Sequence, residues 1–267
     1  YAGAVNPTEI EELPNFRDTY AGKPYRHIIH RDLKQSGKNR WRGDWSAWQG
    51  ILARCYEQIL QLDDAIKDVV ETLKALGLHD NTIIIFCADH GDSVASRGGL
   101  WDKASTFTEE VGRVPLFVHY PAKIRQGFVS DQPVSNMDVT ATILDAAGVG
   151  VPDHFDSRSL LDFADGDAAW PEALVCEHNG HDCEILQRIV IKGGWKYTAA
   201  LFDGDELYDL DNDPNELTNL VDDEQSLERK RELQETLVRH MDTNDSNGES
   251  AKLLHRLRLE TNGDAVS

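Results

Sequence analysis

The chain has 267 residues, enough to bury a hydrophobic core, so one or two domains are expected. Asp and Glu total 47 against 27 Lys and Arg, a net charge of −20 without a visible basic patch, which argues against nucleic acid or an anionic membrane as partner. No apolar run is long enough for a membrane span, and none has the form of a signal peptide.

The basic residues are unevenly divided, since only 11 of the 27 are lysine. Acid-rich, lysine-poor surfaces suit solubility at very high salt, where screening suppresses repulsion between carboxylates. A halophilic source is therefore one hypothesis, and an ordinary acidic enzyme is the other.

The first 39 residues are polar, contain three prolines and show little periodicity. This pattern predicts a long surface connection that wraps a domain without building its core. His27, His30 and Arg31 lie in this stretch and are interpreted as residues of a solvated loop, although they could approach a site.

A long amphipathic helix is predicted from Asp44 to Leu76, because apolar residues recur there every three or four positions. Asp44 or Ser46 can cap its start, and Gly77 can end it. Charged residues, Glu57 among them, define the opposite face and predict that this face is solvated.

The next element is a short apolar run, residues 83–88, which predicts a strand buried on both faces. A helix, a tight turn and a buried strand in succession indicate a wound α/β sheet. Ligands in such sheets bind beyond the carboxyl ends of the strands. Asp89 and His90 follow this strand directly and are therefore candidate site residues.

Two further elements complete the first part of the chain. Residues 114–120 predict a second apolar strand, and residues 139–147 predict a helix with Asp138 as its N-cap. The pattern then becomes rich in turns, which places a domain boundary near Asp165. The chain is therefore divided into residues 1–165 and 166–267.

The second part alternates short strands with turns, as an antiparallel sheet does, and ends in one helix and a polar tail. The predicted strands are residues 173–176, 187–191, 195–198 and 206–210, and the predicted helix is residues 224–241.

Five motifs then occur in a fixed order: Asn81–Asp92, Gly98–Lys103, Arg113–Leu116, Met137–Gly148, and Glu206–Leu210 with Asp213, Pro214, Glu216, Asn219 and Leu220. In this order they resemble the sulfatase family of the alkaline-phosphatase-like superfamily over nearly the whole chain. The resemblance implies an α/β fold, part of the alkaline-phosphatase-like wound sheet, followed by a small α+β C-terminal subdomain with an antiparallel sheet and a terminal helix.

The family nucleophile is missing from this sequence. Sulfatases carry a Cys or Ser, oxidised to formylglycine, in a Cys/Ser-x-Pro-x-Arg motif, and no Cys or Ser of this chain stands in that motif. The paired aspartates, lysine and histidine of the family's first half are missing too. The chain is therefore expected to be the C-terminal half of a sulfatase, with formylglycine in the N-terminal half.

By resemblance, Asp89 and His90 ligate a divalent metal. A carboxylate oxygen suits Ca²⁺ or Mg²⁺, and an imidazole also suits Mn²⁺ or Zn²⁺. Ca²⁺ is favoured, with Mn²⁺ or Mg²⁺ as alternatives. Lys103 corresponds to the active-site lysine, whose ammonium stabilises charge on the leaving oxygen or donates a proton to it.

Other residues near these motifs are ambiguous. Asp92 could support a metal ligand or close a turn. Arg97 stands where relatives often have His before the Gly, which alters the contacts of the loop. His178 and His181 are assigned to an exposed loop, with substrate contact as the alternative. An acidic run is interpreted as a solvated turn because it lacks calcium-loop spacing: Asp203, Asp205, Asp209, Asp211 and Asp213.

The sequence therefore predicts a metal-dependent sulfuric ester hydrolase acting on a small sulfated substrate, with this chain alone inactive. A phosphonate or phosphate ester hydrolase of the same superfamily is the first alternative. A non-catalytic fragment or binding module is the second.

Overall fold

The computed structural model describes residues 1–36, 43–103, 106–164, 170–181 and 184–263. They form two compact units. Unit 1 comprises Tyr1–Glu12, Gly43–Gly91 and Val114–Pro171, and unit 2 comprises Leu13–Arg42, Asp92–Arg113 and Glu172–Ser267. The boundary near Asp165 lies outside the described residues, and the division predicted there stays a prediction. Within the described ranges, no helix is both long and apolar enough to cross a bilayer.

The long helix of unit 1, α2, spans Trp45–Ala75 and confirms the helix predicted from the spacing of apolar residues. Its N-cap is Asp44, whose side chain accepts a hydrogen bond from the Ala47 amide at 3.2 Å. Gly77 follows the helix with φ +68°, the left-handed conformation that ends helices most readily at glycine.

The burial of α2 differs from the prediction. The helix buries Trp48 and Leu52 near its start, whereas much of the apolar stripe further along is exposed. Glu57, predicted on the solvated face, is buried because its carboxylate accepts hydrogen bonds from the backbone amides of Gly3 and Val5. These amides lie 54 and 52 positions before Glu57, and helical periodicity carries no information about such distant contacts.

The sheet of unit 1 pairs β1 (Ile84–Cys87) with β2 (Leu116–His119) in antiparallel orientation, with Ile85 opposite Val118. Both predicted strands are confirmed. Burial of the first strand on both faces is wrong, because β1 is half-buried and Cys87 is exposed. Among the described residues this sheet contains two strands, so each has one neighbour.

Helix α5 (Asn136–Ala146) confirms the helix after β2, but its N-cap is Ser135. Asp138 stands three positions later and closes a capping box by accepting a hydrogen bond from the Ser135 amide at 2.8 Å. The prediction that Asp138 is the N-cap is therefore wrong, because the helix starts one turn earlier. A short helix, α6, follows at Leu160–Ala164.

The sheet of unit 2 is antiparallel, as the sequence predicts, and its four strands pair in chain order. Helix α7 confirms the predicted helix, and a second helix, α8, replaces the predicted polar tail. The bounds are β3 Ala173–His178, β4 Leu186–Lys192, β5 Trp195–Leu201, β6 Glu206–Asp209, α7 Leu227–Asn244 and α8 Gly248–Asn262.

The core of unit 2 lies between this sheet and the two helices. Alternate residues of a strand face opposite sides, so Tyr197 and Ala199 of β5 join this core while Lys196 and Thr198 face away from it. The fully buried members from the helices are Leu233, Leu237, Met241, Leu253 and Leu257.

Unit 2 also holds a helix, α1 (Tyr25–Ser36), where the sequence predicted a surface connection. His27 and His30 are 3% and 2% exposed, so their assignment to a solvated loop is wrong. Polar contacts, not an apolar face, hold this helix in unit 2. Arg26 and His27 pair with Glu206 of β6, and the local sequence does not predict this contact. The one-turn helices α3 (Ser96–Gly99) and α4 (Glu109–Gly112) belong to the same unit.

Candidate active site

Asp89 and His90 lie side by side in the loop that follows β1 in unit 1. The His90 amide donates a hydrogen bond to Asp89 Oδ1 at 3.0 Å, and His90 Nε2 lies 3.5 Å from Asp89 Oδ2. Asn136, at the start of α5, anchors the loop by donating to the Ala88 carbonyl at 2.9 Å. The Asp89 side chain is 87% exposed. The loop therefore presents a carboxylate and an imidazole to solvent from an anchored backbone.

This pair fits a divalent metal in donor type but not in number. Ca²⁺ takes six to eight oxygen ligands, and Mn²⁺ or Zn²⁺ also needs more than two donors. Within the described parts of the chain, no group of three or more His, Cys, Asp and Glu residues is arranged to hold a metal. Asp89 and His90 can therefore supply two ligands of a site that requires others.

Lys103 lies in unit 2, within a stretch that we call the lysine segment, residues 92–103 and 106–113. Its first part folds back on itself, since the Ala95 amide donates to the Leu100 carbonyl at 2.9 Å and the Ser93 amide to the Asp102 carbonyl at 3.2 Å. Asp92 closes this turn by accepting from the Asp102 amide at 2.9 Å. The half-buried Lys103 follows immediately, and its amide donates to Asp102 Oδ1 at 2.7 Å.

Arg97 of this segment is a buried cation with a structural role that the sequence analysis did not predict. Its side chain is 1% exposed and donates to Glu110 Oε2 at 3.1 Å and Glu216 Oε2 at 2.7 Å. Burial alone would lower the pKa of Arg97, but Glu216 and Glu110 together raise it above its ordinary value, so the guanidinium stays charged. The one sequence feature that pointed to Arg97 was that it stands where relatives often have His.

His178 stands at the end of β3, not in an exposed loop, and its Nδ1 lies 3.1 Å from Gln187 Oε1. Burial lowers the pKa of His178, which favours the neutral imidazole. Substrate contact by His178 or by the exposed His181 stays a prediction.

The acidic run is not a simple solvated turn. Asp205 accepts hydrogen bonds from Tyr197 at 2.6 Å and from Arg256 at 2.8 Å, which ties α8 to the sheet. Asp203 accepts from the Arg26 amide at 2.9 Å. These contacts give Asp203 and Asp205 a structural role in unit 2.

The α/β fold, with its antiparallel four-stranded sheet in unit 2, is the fold of the alkaline-phosphatase-like superfamily. Sequence profiles sharpen this class. The profile named Sulfatase matches residues 14–149, and the profile named N-sulphoglucosamine sulphohydrolase, C-terminal, matches residues 97–243. The chain belongs to the sulfatase family, whose members use a divalent metal and formylglycine.

Similar proteins agree with this membership. A choline-sulfatase of Rhizobium meliloti is 35% identical over 62% of this chain and 32% of its own length. An arylsulfatase of Clostridium perfringens is 31% identical over 71% of this chain and 40% of its own length. A solved structure of a protein in complex with its substrate D-glucosamine-2-N,6-O-disulfate is 25% identical, with a TM-score of 0.71 over 86% of this chain and 47% of that one.

The chain therefore spans less than half the length of these relatives. Asp89, His90 and Lys103 all fall within the part matched by the Sulfatase profile. The predicted family and fold class are confirmed, and the roles of the three residues stay predictions.

Proposed function

We propose that this chain carries the leaving-group side of a sulfatase active site and part of its metal site. The observation that supports this most strongly is the match of the Sulfatase profile across both the Asp89 loop and the lysine segment. The reaction would be the hydrolysis of a sulfate ester to an alcohol and inorganic sulfate.

Asp89 and His90 would each contribute one ligand to a divalent metal, for which we favour Ca²⁺ over Mn²⁺ and Mg²⁺. The Asp89 carboxylate is a hard oxygen donor, and its side chain is 87% exposed and thus accessible to a metal ion. When bound, such a metal supplies positive charge that holds the sulfate oxygens. The two residues orient that charge, because Asn136 fixes the backbone from which they project.

Lys103 would act on the oxygen that bridges sulfur and the leaving alcohol. Negative charge develops on that oxygen as the bond to sulfur breaks, and an ammonium stabilises the charge or donates a proton. Sulfate esters of weakly acidic alcohols need this assistance most.

The nucleophile would come from residues outside this sequence, because no Cys/Ser-x-Pro-x-Arg motif is present. The surface of unit 1 supports this proposal. Large apolar side chains on α2, β2 and α5 are 49–66% exposed, and this apolar surface is available to be covered by another element. They are Ile59, Leu62, Val69, Phe117, Met137 and Ile143. We propose that the nucleophile-bearing part packs there.

The substrate would be a small sulfated molecule. The relative solved with D-glucosamine-2-N,6-O-disulfate supports this substrate class, since it matches 86% of this chain. A sulfated sugar and an aryl sulfate are accordingly the substrates to test first.

The experiment compares this chain alone with a longer polypeptide that adds the residues encoded upstream. We expect hydrolysis of 4-nitrophenyl sulfate by the longer form only. 4-Nitrophenyl phosphate serves as the competing substrate, and faster phosphate hydrolysis would favour the phosphatase alternative. Inactivity of both forms toward both esters and toward glucosamine disulfate would contradict the enzyme proposal.

For this chain alone we expect weak Ca²⁺ binding, because two ligands make an underfilled site. Isothermal titration should give a dissociation constant of about 10⁻³ M or weaker, and Asp89→Ala should remove the remaining binding. Asp80→Ala is the matched control, since Asp80 also lies next to a histidine and is 94% exposed. Tight stoichiometric binding that survives Asp89→Ala would place the metal site elsewhere.

A halophilic source also remains our proposal, on the basis of the net charge of −20. Self-repulsion among carboxylates is screened within about 3 Å at 1 M salt but over about 10 Å at 0.1 M. We therefore expect dialysis into 0.1 M NaCl to reduce the helical signal in circular dichroism. An unchanged spectrum and melting temperature would favour an ordinary acidic protein.

A further inference from the structure

Glu216, in the turn after β6, lies at the centre of a buried ionic cluster in unit 2. Glu216 is 1% exposed, and its backbone is in the left-handed region with φ +52°. Oε2 accepts from Arg97 Nη2 at 2.7 Å and from the Glu109 amide at 2.9 Å. Oε1 pairs with the ammonium of Lys196. One carboxylate therefore binds two points of the lysine segment and one point of the sheet.

Lys196 extends this attachment from β5. Its ammonium donates to the Phe107 carbonyl at 2.9 Å and to Glu109 Oε1 at 3.1 Å, and it lies 5.9 Å from the centre of the Phe107 ring. Burial alone would lower the pKa of Lys196, but Glu216 and Glu109 raise it above its ordinary value. The lysine is therefore a buried cation held between the sheet and the segment.

The attached points lie on both sides of Lys103. Arg97 precedes it, and its carbonyl also accepts a hydrogen bond from the buried Tyr20 hydroxyl. Phe107 and Glu109 follow it. Glu216 and Lys196 therefore contact the lysine segment on both sides of Lys103.

We propose that Glu216 and Lys196 form a clamp that positions Lys103 for leaving-group assistance. Neither residue is assigned to the reacting atoms, so both are positioning residues. The inference rests on the proposed function of Lys103, and it adds the residues that hold the catalytic lysine in place.

The backbone of the clamped region indicates a local rather than a global effect. Ala95, Arg97, Asp102 and Glu216 all have positive φ, between +48° and +75°. Non-glycine residues keep such conformations only where surrounding contacts impose them. Loss of the Glu216 charge should therefore let the segment relax, while α7 and α8 keep their separate apolar core.

The first experiment measures amide hydrogen exchange of the 267-residue chain. We expect Glu216→Gln to accelerate exchange in residues 92–103 and 106–113 by about tenfold more than in α7 and α8. Arg97→Lys keeps the charge but loses the fork that reaches two carboxylates, and it should act in the same direction. Glu249→Gln is the matched control, because Glu249 pairs with Lys252 on an exposed helix surface.

The second experiment uses the active, longer polypeptide with two substrates. 4-Nitrophenyl sulfate has a leaving group that needs little assistance, whereas phenyl sulfate needs more. We expect Glu216→Gln to lower kcat for phenyl sulfate about tenfold more than for 4-nitrophenyl sulfate, with KM changed less than about threefold. Lys103→Ala is measured in parallel and should show the same selectivity more strongly.

The outcomes separate the clamp from the role of Lys103. Unchanged exchange in Glu216→Gln and Arg97→Lys would overturn the clamp and leave the role of Lys103 intact. Faster exchange with wild-type leaving-group dependence, while Lys103→Ala alters that dependence, would show that the clamp does not position Lys103. Equal losses on both esters for Lys103→Ala would overturn the proposed function of Lys103, and the positioning role with it.

Discussion

Replacement of Lys103 by alanine in the active, longer polypeptide should lower kcat for phenyl sulfate by about 10²- to 10⁴-fold. The bridging oxygen would then leave as an unassisted phenolate. Water molecules would have to reorient to stabilise its charge, whereas the ammonium of Lys103 is already in place. KM should change little, because the ammonium interacts with charge that exists mainly in the transition state. Steady-state kinetics with phenyl sulfate at saturating metal measures both quantities.

Two further variants make this result specific. Lys123→Ala removes an exposed lysine of unit 1 and should retain wild-type kinetics. Lys103→Arg keeps the positive charge but cannot donate a proton readily, since arginine stays protonated. Substantial activity in Lys103→Arg would assign charge stabilisation to the lysine, and a loss as large as that of alanine is the result expected for proton donation. Full activity of Lys103→Ala would contradict the proposal.

The fold was largely predictable where one local signal governs one element. The spacing of apolar residues and the cap at Asp44 defined α2, and short apolar runs separated by turns defined the sheet of unit 2. Burial was less predictable, because it depends on what packs against an element. Periodicity marks the apolar face of α2, yet Ile59 and Val69 on that face are 59% and 61% exposed.

Helix α8 was missed for a different reason. Its leucines at 253, 254 and 257 have helical spacing, but charged residues surround them and lower the mean apolarity of the segment. The leucines are buried because α7 and β5 offer them a partner surface. Tertiary packing therefore decides this helix more than its own composition does.

The candidate site also contains residues that the local sequence predicts and contacts that it does not. Asp89 and His90 could be found because they are adjacent in sequence and follow a strand. The contact between Arg97 and Glu216 joins residues 119 positions apart, and no local pattern pairs a given arginine with one of 47 acidic residues. His27 was assigned to a solvated loop for the same reason, since its partner is Glu206 of β6.

Glu206 leads to the second large expected effect. Its carboxylate is 5% exposed and accepts hydrogen bonds from His27 Nε2 and the Tyr208 hydroxyl, each at 2.6 Å, and it pairs with Arg26. Glu206→Gln keeps the shape but leaves the buried guanidinium with less negative charge nearby. Breaking a buried pair from one side costs about 3–5 kcal/mol in the free energy of unfolding. Urea denaturation at pH 7, followed by circular dichroism, measures the loss.

The same residue should make stability depend on pH. Burial alone would raise the pKa of Glu206, but His27 and Arg26 outweigh it and hold the pKa well below its ordinary value of 4.5. A carboxyl whose pKa is depressed by folding contributes stability above its unfolded-state pKa and loses it as pH falls through the folded-state pKa. The stability difference between wild type and Glu206→Gln should therefore be largest near pH 7 and shrink below about pH 4. Glu249→Gln, on an exposed pair, should show neither effect. A constant difference from pH 7 to pH 3 would mean that the charge of Glu206 does not stabilise unit 2.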